Sequence, residues 1–303
     1  MIRHYTEGWA DGYRYKMTYW EIWNEPDLFQ DPAADIPWSR CTMWQAPFEE
    51  YVRFYGAVAP YLKSKFPHLL FGGFAGCGFQ IATKPAGHPR IPEYRTRNEH
   101  ARMFLKAVKD NGWPLDFFSY HSYDTAANIA RQIEWAQGLL DELGLGDTEM
   151  ILDEWLCRDY KVGSGQQAAE TAATLAAMQN SPLSKAMIYD AKCGPGAYSP
   201  LFDPATRGPR KAYFAFKRFN DLKRLGTAVR ARSSDPCIFA AAAKGAEEGA
   251  VYLANVSCQP VKVRLGALKP YDCRLTDETH DDASVPWLGE MPPKSFVRLF
   301  VKQ

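Results

Sequence analysis

From Tyr19 onward the chain alternates between short apolar, β-prone runs and longer segments whose apolar residues recur every three or four positions. The run "YWEIWNEP" (19–26) predicts a strand. Beyond a long loop, Phe48, Tyr51, Val52, Tyr55, Val58, Ala59 and Leu62 fall at helical spacing, and the helix they predict stops near Pro67. "HLLFGGFAGCG" (68–78) predicts a buried strand, and "NEHARMFLKAVKDNGW" (98–113) an amphipathic helix capped by Asn98. "LDFFSYHSYD" (115–124) predicts the next strand, followed by a helix over 125–143 that ends at Gly144. "EMILDEWLC" (149–157) with "QQAAETAATLAAMQN" (166–180), and "SKAMIYDAKC" (184–193) with "RKAYFAFKRFNDLKRL" (210–225), complete the series. Five strand–helix units in a row predict an α/β fold with a parallel sheet and helical crossovers. After Gly226 the texture changes to short strands separated by turn residues, with no helical pattern. These predict a small all-β domain, a sandwich, so the expected division is 1–225 and 226–303.

Composition narrows the partners. Of the 303 residues, 46% are apolar and 23% charged, which suits a globular protein able to bury a sizeable core. The net charge of +1 leaves no electrostatic footprint for nucleic acid or an anionic membrane. No apolar run of about 18 residues occurs. The seven cysteines are scattered and odd in number, with no CxxC pair, which argues against a zinc site and a complete disulfide framework. Together with an N-terminus lacking a signal-peptide pattern, they favour a cytoplasmic setting. Nine Trp, sixteen Tyr and seventeen Phe suit either a large core or the binding of flat ligands such as sugars, and core is the commoner use.

In a (β/α)8 barrel the reactive groups stand at the C-terminal strand ends. Here those ends offer Asn24 and Glu25, then His121 and Tyr123, then Glu154 and Trp155, and finally Tyr189, Asp190 and Lys192. A pair of carboxylates across a pocket suits glycosidic cleavage, one protonated to help the leaving oxygen and one ionised to attack the sugar carbon. This chemistry calls for neither a metal nor a cofactor. A single strand-end glutamate is as readily a salt-bridged rim residue, and a strand-end histidine is more often structural. Two glutamates, each beside a tryptophan, point to catalysis. Glu25 among Trp20, Trp23 and Pro26 is expected to be partly desolvated, raised in pKa and protonated. Trp38, Trp44 and Trp155 are candidates to stack on sugar faces. By strand alternation Asp153 is expected to point away from Glu154, as a buried structural partner.

The string "HYTEGWADGY…YWEIWNEPDL" (4–28), with "WNEP" followed by the glutamate of "ILDEW", resembles the clan A glycoside hydrolases. It looks most like family 39, the β-xylosidase and α-L-iduronidase group. The resemblance implies a (β/α)8 (TIM) barrel with a C-terminal β-sandwich and a retaining, double-displacement mechanism on a xyloside-like carbohydrate. On it, Glu25 is the acid/base at strand four and Glu154 the nucleophile at strand seven. Asn24 would bind the sugar 2-hydroxyl, while His121 and Tyr123 match the positions that hold the two carboxylates. Tyr189 stands where many clan A members place a tryptophan. Only 18 residues precede Tyr19, so the expectation is an incomplete barrel of strands four to eight. Three explanations follow in order: a piece of a longer enzyme, a barrel completed by another chain or by a homo-oligomer, or a non-catalytic relative serving as a carbohydrate-binding or assembly module.

Overall fold

The computed structural model describes residues 1–28, 40–157, 160–192, 198 and 200–302. The chain forms two compact units, Met1–His121 with Trp135–Asp153, and Ser122–Glu134 with Glu154–Gln303. A five-stranded sheet has the order β1 (Tyr19–Glu21), β2 (Leu70–Gly76), β3 (Phe117–Ser122), β4 (Glu149–Trp155), β5 (Lys185–Ile188). Sequential order with parallel pairing, Tyr19 against Leu70 and Gly72 against Phe117, is what strand–helix repeats dictate.

In the first unit the short helix α1 (Ile2–Thr6) comes first, and α2 (Phe48–Lys65) buries Phe48, Tyr51, Val52, Tyr55 and Ala59, the stripe its apolar spacing predicts. β2 is buried almost throughout, and its glycines permit close approach: a Cβ on Gly72 would lie 2.2 Å from the Phe117 carbonyl oxygen. Tyr51, Tyr55, Phe74 and Phe104 pack ring to ring, so much of the aromatic surplus is core. The helix expected from Asn98 instead begins at Ile91 and runs to Asn111 as α3. Pro92 is tolerated in a first turn, and the added turns bury Tyr94 and pair Arg97 with Glu93, so Asn98 lies inside the helix rather than capping it. α3 ends at Gly112, which adopts the left-handed conformation.

The sheet of this unit rolls. On a flat sheet β1 and β4 would stand about 14 Å apart, three strand spacings. Yet the Tyr19 hydroxyl on β1 donates to Glu149 Oε2 on β4 at 2.9 Å. The inward side chains of β1, β3 and β4 therefore converge on one concave face.

α4 (Ala126–Glu142) follows β3 in the chain; in the second unit, α5 (Gly165–Gln179) and α6 (Lys211–Leu225) pack against an antiparallel sheet. Its order is β11 (Ala283–Ser284), β10 (Pro270–Thr276), β13 (Ser295–Lys302), β8 (Glu248–Asn255), β7 (Ile238–Lys244), β6 (Thr227–Val229). Alternation sorts the two faces. Tyr252 turns to the helices and donates to the Ala215 carbonyl, while Val251, Leu253, Cys273, Leu275, Val297 and Leu299 form a separate apolar core with Met291. Met291 belongs to a two-stranded sheet of β9 (Val261–Lys262) and β12 (Glu290–Met291). The alanine-rich face of α5 allows its close seat on the large sheet, since Ala168, Ala169, Ala172, Ala173 and Ala176 are fully buried. Helices end at Leu225 and strands begin at Thr227, as the change of texture predicts. Among the described residues no helix is long and apolar enough to cross a membrane.

Candidate active site

The strand expected over 19–26 stops at Glu21. Beyond it Trp23 and Glu25 both adopt left-handed backbone, φ 79° and 46°, which for non-glycine residues costs about 1–3 kcal/mol each and persists only where surroundings impose it. The imposing contacts are Ile22 N–H to the Gly72 carbonyl, Glu25 N–H to the Ala75 carbonyl, and the Tyr51 hydroxyl to the Ile22 carbonyl. Together they turn Glu25 back over the end of the sheet. Asn24 is half-buried between these two strained residues.

Glu25 Oε1 lies 2.7 Å from His121 Nδ1. Burial alone would push Glu25 up, but the His121 hydrogen bond and charge, with Cys77 and Arg97, outweigh it and hold the carboxyl below its ordinary value. The expected rise is therefore corrected: the tryptophans desolvate Glu25 less than its donors stabilise the charge. Asp27, fully enclosed behind it, accepts from Cys77 N–H and is pushed up by burial.

His121 is fully buried, and its Nε2 faces Asp153 Oδ2 at 3.4 Å. Asp153 thus shares the concave face with His121 as a largely buried partner. It also lies close to the carboxylate of Glu21, which accepts from the Ser119 hydroxyl. Partial desolvation and the neighbouring Asp153 carboxylate push Glu21 up to about 8, although the residue is exposed. Water still reaches Glu21, which tempers the desolvation but not the repulsion between like charges. Sequence reasoning missed Glu21. The signal was present: Tyr19, Glu21 and Trp23 alternate along one strand face, and a carboxylate there points inward.

The second unit carries the other carboxylate. Glu154, next to Asp153 in β4, accepts from the Tyr123 hydroxyl at its Oε2. Tyr123 lies 6.1 Å from the ring of Tyr198, which meets Tyr189 edge-on at 5.4 Å. Tyr189 is 39% exposed, so the outer end of this row is open to a ligand. Trp155 is not: it is 1% exposed and stacks on Phe216 of α6, which removes it from the sugar-stacking candidates. Trp44 is half-buried, wedged edge-on against Trp23 at 5.2 Å and tilted on Phe54, so it supports Trp23 more than it offers a free face. Trp38 lies outside the described residues. Glu25 and Glu154, the two sequence-derived carboxylates, are each seated on a donor side chain, and the donors are two residues apart where β3 ends.

No protein-family model matches the sequence, and no curated protein matches it. Solved structures do match in fold. A glucosidase from Croceicoccus marinus superposes with a TM-score of 0.69 at 17% identity, over 100% of this chain and 72% of that one. A GH39 enzyme from Xanthomonas axonopodis pv. citri gives 0.66 at 16%, over 99% and 71%. A GH39 β-xylosidase from Caulobacter crescentus gives 0.63 at 20%, over 94% and 66%. At such identities the likeness is one of fold.

If His121 holds Glu25 ionised, His121→Leu should raise the Glu25 titration point, followed by the carboxyl 13C shift against pH. A titration that stays or moves down would show that the histidine does not stabilise the charge.

Proposed function

We propose that this chain bears the catalytic face of a retaining glycoside hydrolase cleaving O-glycosidic bonds of xyloside-like carbohydrates. The observation that carries the reading is the pair of carboxylates, Glu25 and Glu154, each held by a side-chain donor from the end of β3. The fold likeness to glycosidases supports it.

In this reading Glu154 attacks the anomeric carbon while its charge is steadied by the Tyr123 hydroxyl. The C–O bond to the leaving group breaks as the leaving oxygen takes a proton from Glu25. Water then attacks the glycosyl–Glu154 ester, Glu25 accepts its proton, and the sugar departs with its configuration retained. Asn24 binds the 2-hydroxyl, and the exposed ring of Tyr189 supplies an apolar face to the sugar.

The proposal extends to a barrel of which strands four to eight lie in this chain. Among the described residues β1 pairs with β2 alone and ends the sheet. A cleft of about 550 Å³ is lined by Ile2 and Trp9 together with Trp20, Ile22, Phe54, Leu62 and Phe66. Open edges next to apolar surface draw in another chain or aggregate. A second copy of this chain or other polypeptide is therefore proposed to cover that edge.

Two outcomes are expected. Glu154→Gly should abolish turnover, and azide should restore it with a product of inverted configuration. Glu25→Ala should cost about 10²–10⁴-fold on poor leaving groups and far less on activated aryl glycosides. Azide rescue with retained configuration, or equal losses across leaving groups, would remove the respective residue from its role. Xyloside binding without turnover by the wild type would favour the carbohydrate-binding module instead. For the edge, light scattering after size exclusion should report an oligomer, or hydrophobic dye should bind. A dye-silent, cooperatively melting monomer would contradict the open edge.

A further inference from the structure

Glu25 sits on a strained turn, and a strained residue keeps its place only where more than one contact fixes it. One fastening is the Glu25 N–H on the Ala75 carbonyl at 3.0 Å. A second lies two residues on. The Leu28 N–H donates to the Glu25 carbonyl at 3.1 Å, closing a turn with Pro26 and Asp27 at its two central positions. Asp27 therefore moves with Glu25 as one piece. It is 3% exposed, and both its carboxylate oxygens lie 3.1 Å from the Cys77 nitrogen, sharing that one N–H. The two fastenings thus fall on Ala75 and Cys77, alternate residues where β2 ends.

The receiving side is itself held. Ala75 is left-handed, φ 51°, and its N–H donates to the Ser119 hydroxyl oxygen at 3.1 Å. The Cys77 carbonyl accepts from Gln80 Nε2 at 3.1 Å and from Arg97 Nη1 at 3.4 Å. Arg97, 6% exposed, is paired in turn with Glu93 one turn earlier on α3. Burying a carboxylate to satisfy one backbone N–H is a poor route to stability, because desolvation offsets most of the gain. What it provides here is orientation. A single bond to Ala75 would act as a pivot, whereas two fastenings on one closed turn fix the direction in which the Glu25 side chain leaves the backbone.

We propose that Asp27 is a positioning residue for Glu25, aiming its carboxyl at His121 and at the leaving oxygen by locking the 25–28 turn onto Cys77. This rests on the acid/base reading of Glu25 above. With the lock in place, Glu25 Oε1 stands 2.7 Å from His121 Nδ1. Without it the turn can swing about the Ala75 bond, and a misplacement of about 1 Å in a reacting group costs about 10²-fold in rate. The loss falls on the step that Glu25 assists. Leaving groups that need a proton should suffer, and activated aryl groups, which depart without one, should not.

The deciding experiment compares wild type, Asp27→Ala and Asp27→Asn, each checked for a native melt. Amide hydrogen exchange, read without substrate, should show Cys77 and Glu25 losing protection by about tenfold or more in Asp27→Ala. Ile22, held upstream by the Gly72 carbonyl, should keep its own. On aryl xylosides, kcat/KM of Asp27→Ala should fall about tenfold or more for poor leaving groups and less than about threefold for activated ones. Asp27→Asn keeps one neutral acceptor of the same shape and should lie between the two in both readings. If Asp27→Ala does not fold, Asp27→Asn decides alone. Unchanged protection at Glu25 overturns the proposal, and so do equal losses across leaving groups, since a residue that only supports the fold lowers every substrate alike. Should Glu25→Ala itself show no leaving-group dependence, the acid/base reading falls, while exchange at Cys77 and Glu25 still decides the lock.

Discussion

The roll of the parallel sheet is the constraint on which the site depends. It brings β1 within hydrogen-bonding reach of β4, as the bond from Tyr19 to Glu149 attests. On a flat sheet these side chains would stand apart in water, each with its ordinary acidity. On the rolled sheet, desolvation and the neighbouring Asp153 carboxylate push Glu21 up, and a fully buried histidine meets a carboxyl at each ring nitrogen. The strained turn at Trp23 and Glu25 completes the arrangement by folding the end of β1 back toward that histidine. Packing from α2 and β2 holds this strain, which is one reason the tyrosine- and phenylalanine-rich core lies directly behind the site.

The parts legible in the sequence were those set by local pattern. Alternating apolar periodicities located the five parallel strands and their helices, because each period has one way to bury its face. Strand ends located Glu25, His121, Tyr123 and Glu154, and the hydrogen bonds of Glu25 with His121 and of Glu154 with Tyr123 follow from those positions. What escaped depends on distant neighbours. The direction of the Glu25 shift is set by a histidine 96 residues away and by Cys77, neither of which touches it in sequence. Trp155 looked like a sugar platform until α6 supplied Phe216 to cover it. The early start of α3 turned on whether Tyr94 and Arg97 could be buried, a tertiary question that no cap residue answers.

The second unit shows the same economy of side chains. One donor, the Tyr123 hydroxyl, steadies Glu154, and the ring that carries it leads through Tyr198 to the exposed face of Tyr189. A carboxylate and an apolar ring are what a sugar requires, since its hydroxyls need polar partners and its C–H faces need apolar ones. The antiparallel sheet beneath contributes by anchoring α5 and α6, and Phe216 on α6 fixes Trp155 beside Glu154 in the chain.

The central claim is that Glu154 forms a covalent bond to the sugar. An activated 2-deoxy-2-fluoro xyloside slows both chemical steps but lets the ester accumulate, and peptide mass spectrometry then locates the label. The account predicts a single fluoroxylosyl adduct on Glu154, absent after Glu154→Gly. An adduct on Glu25, or hydrolysis of the parent aryl xyloside by an enzyme that never takes up the label, would contradict it.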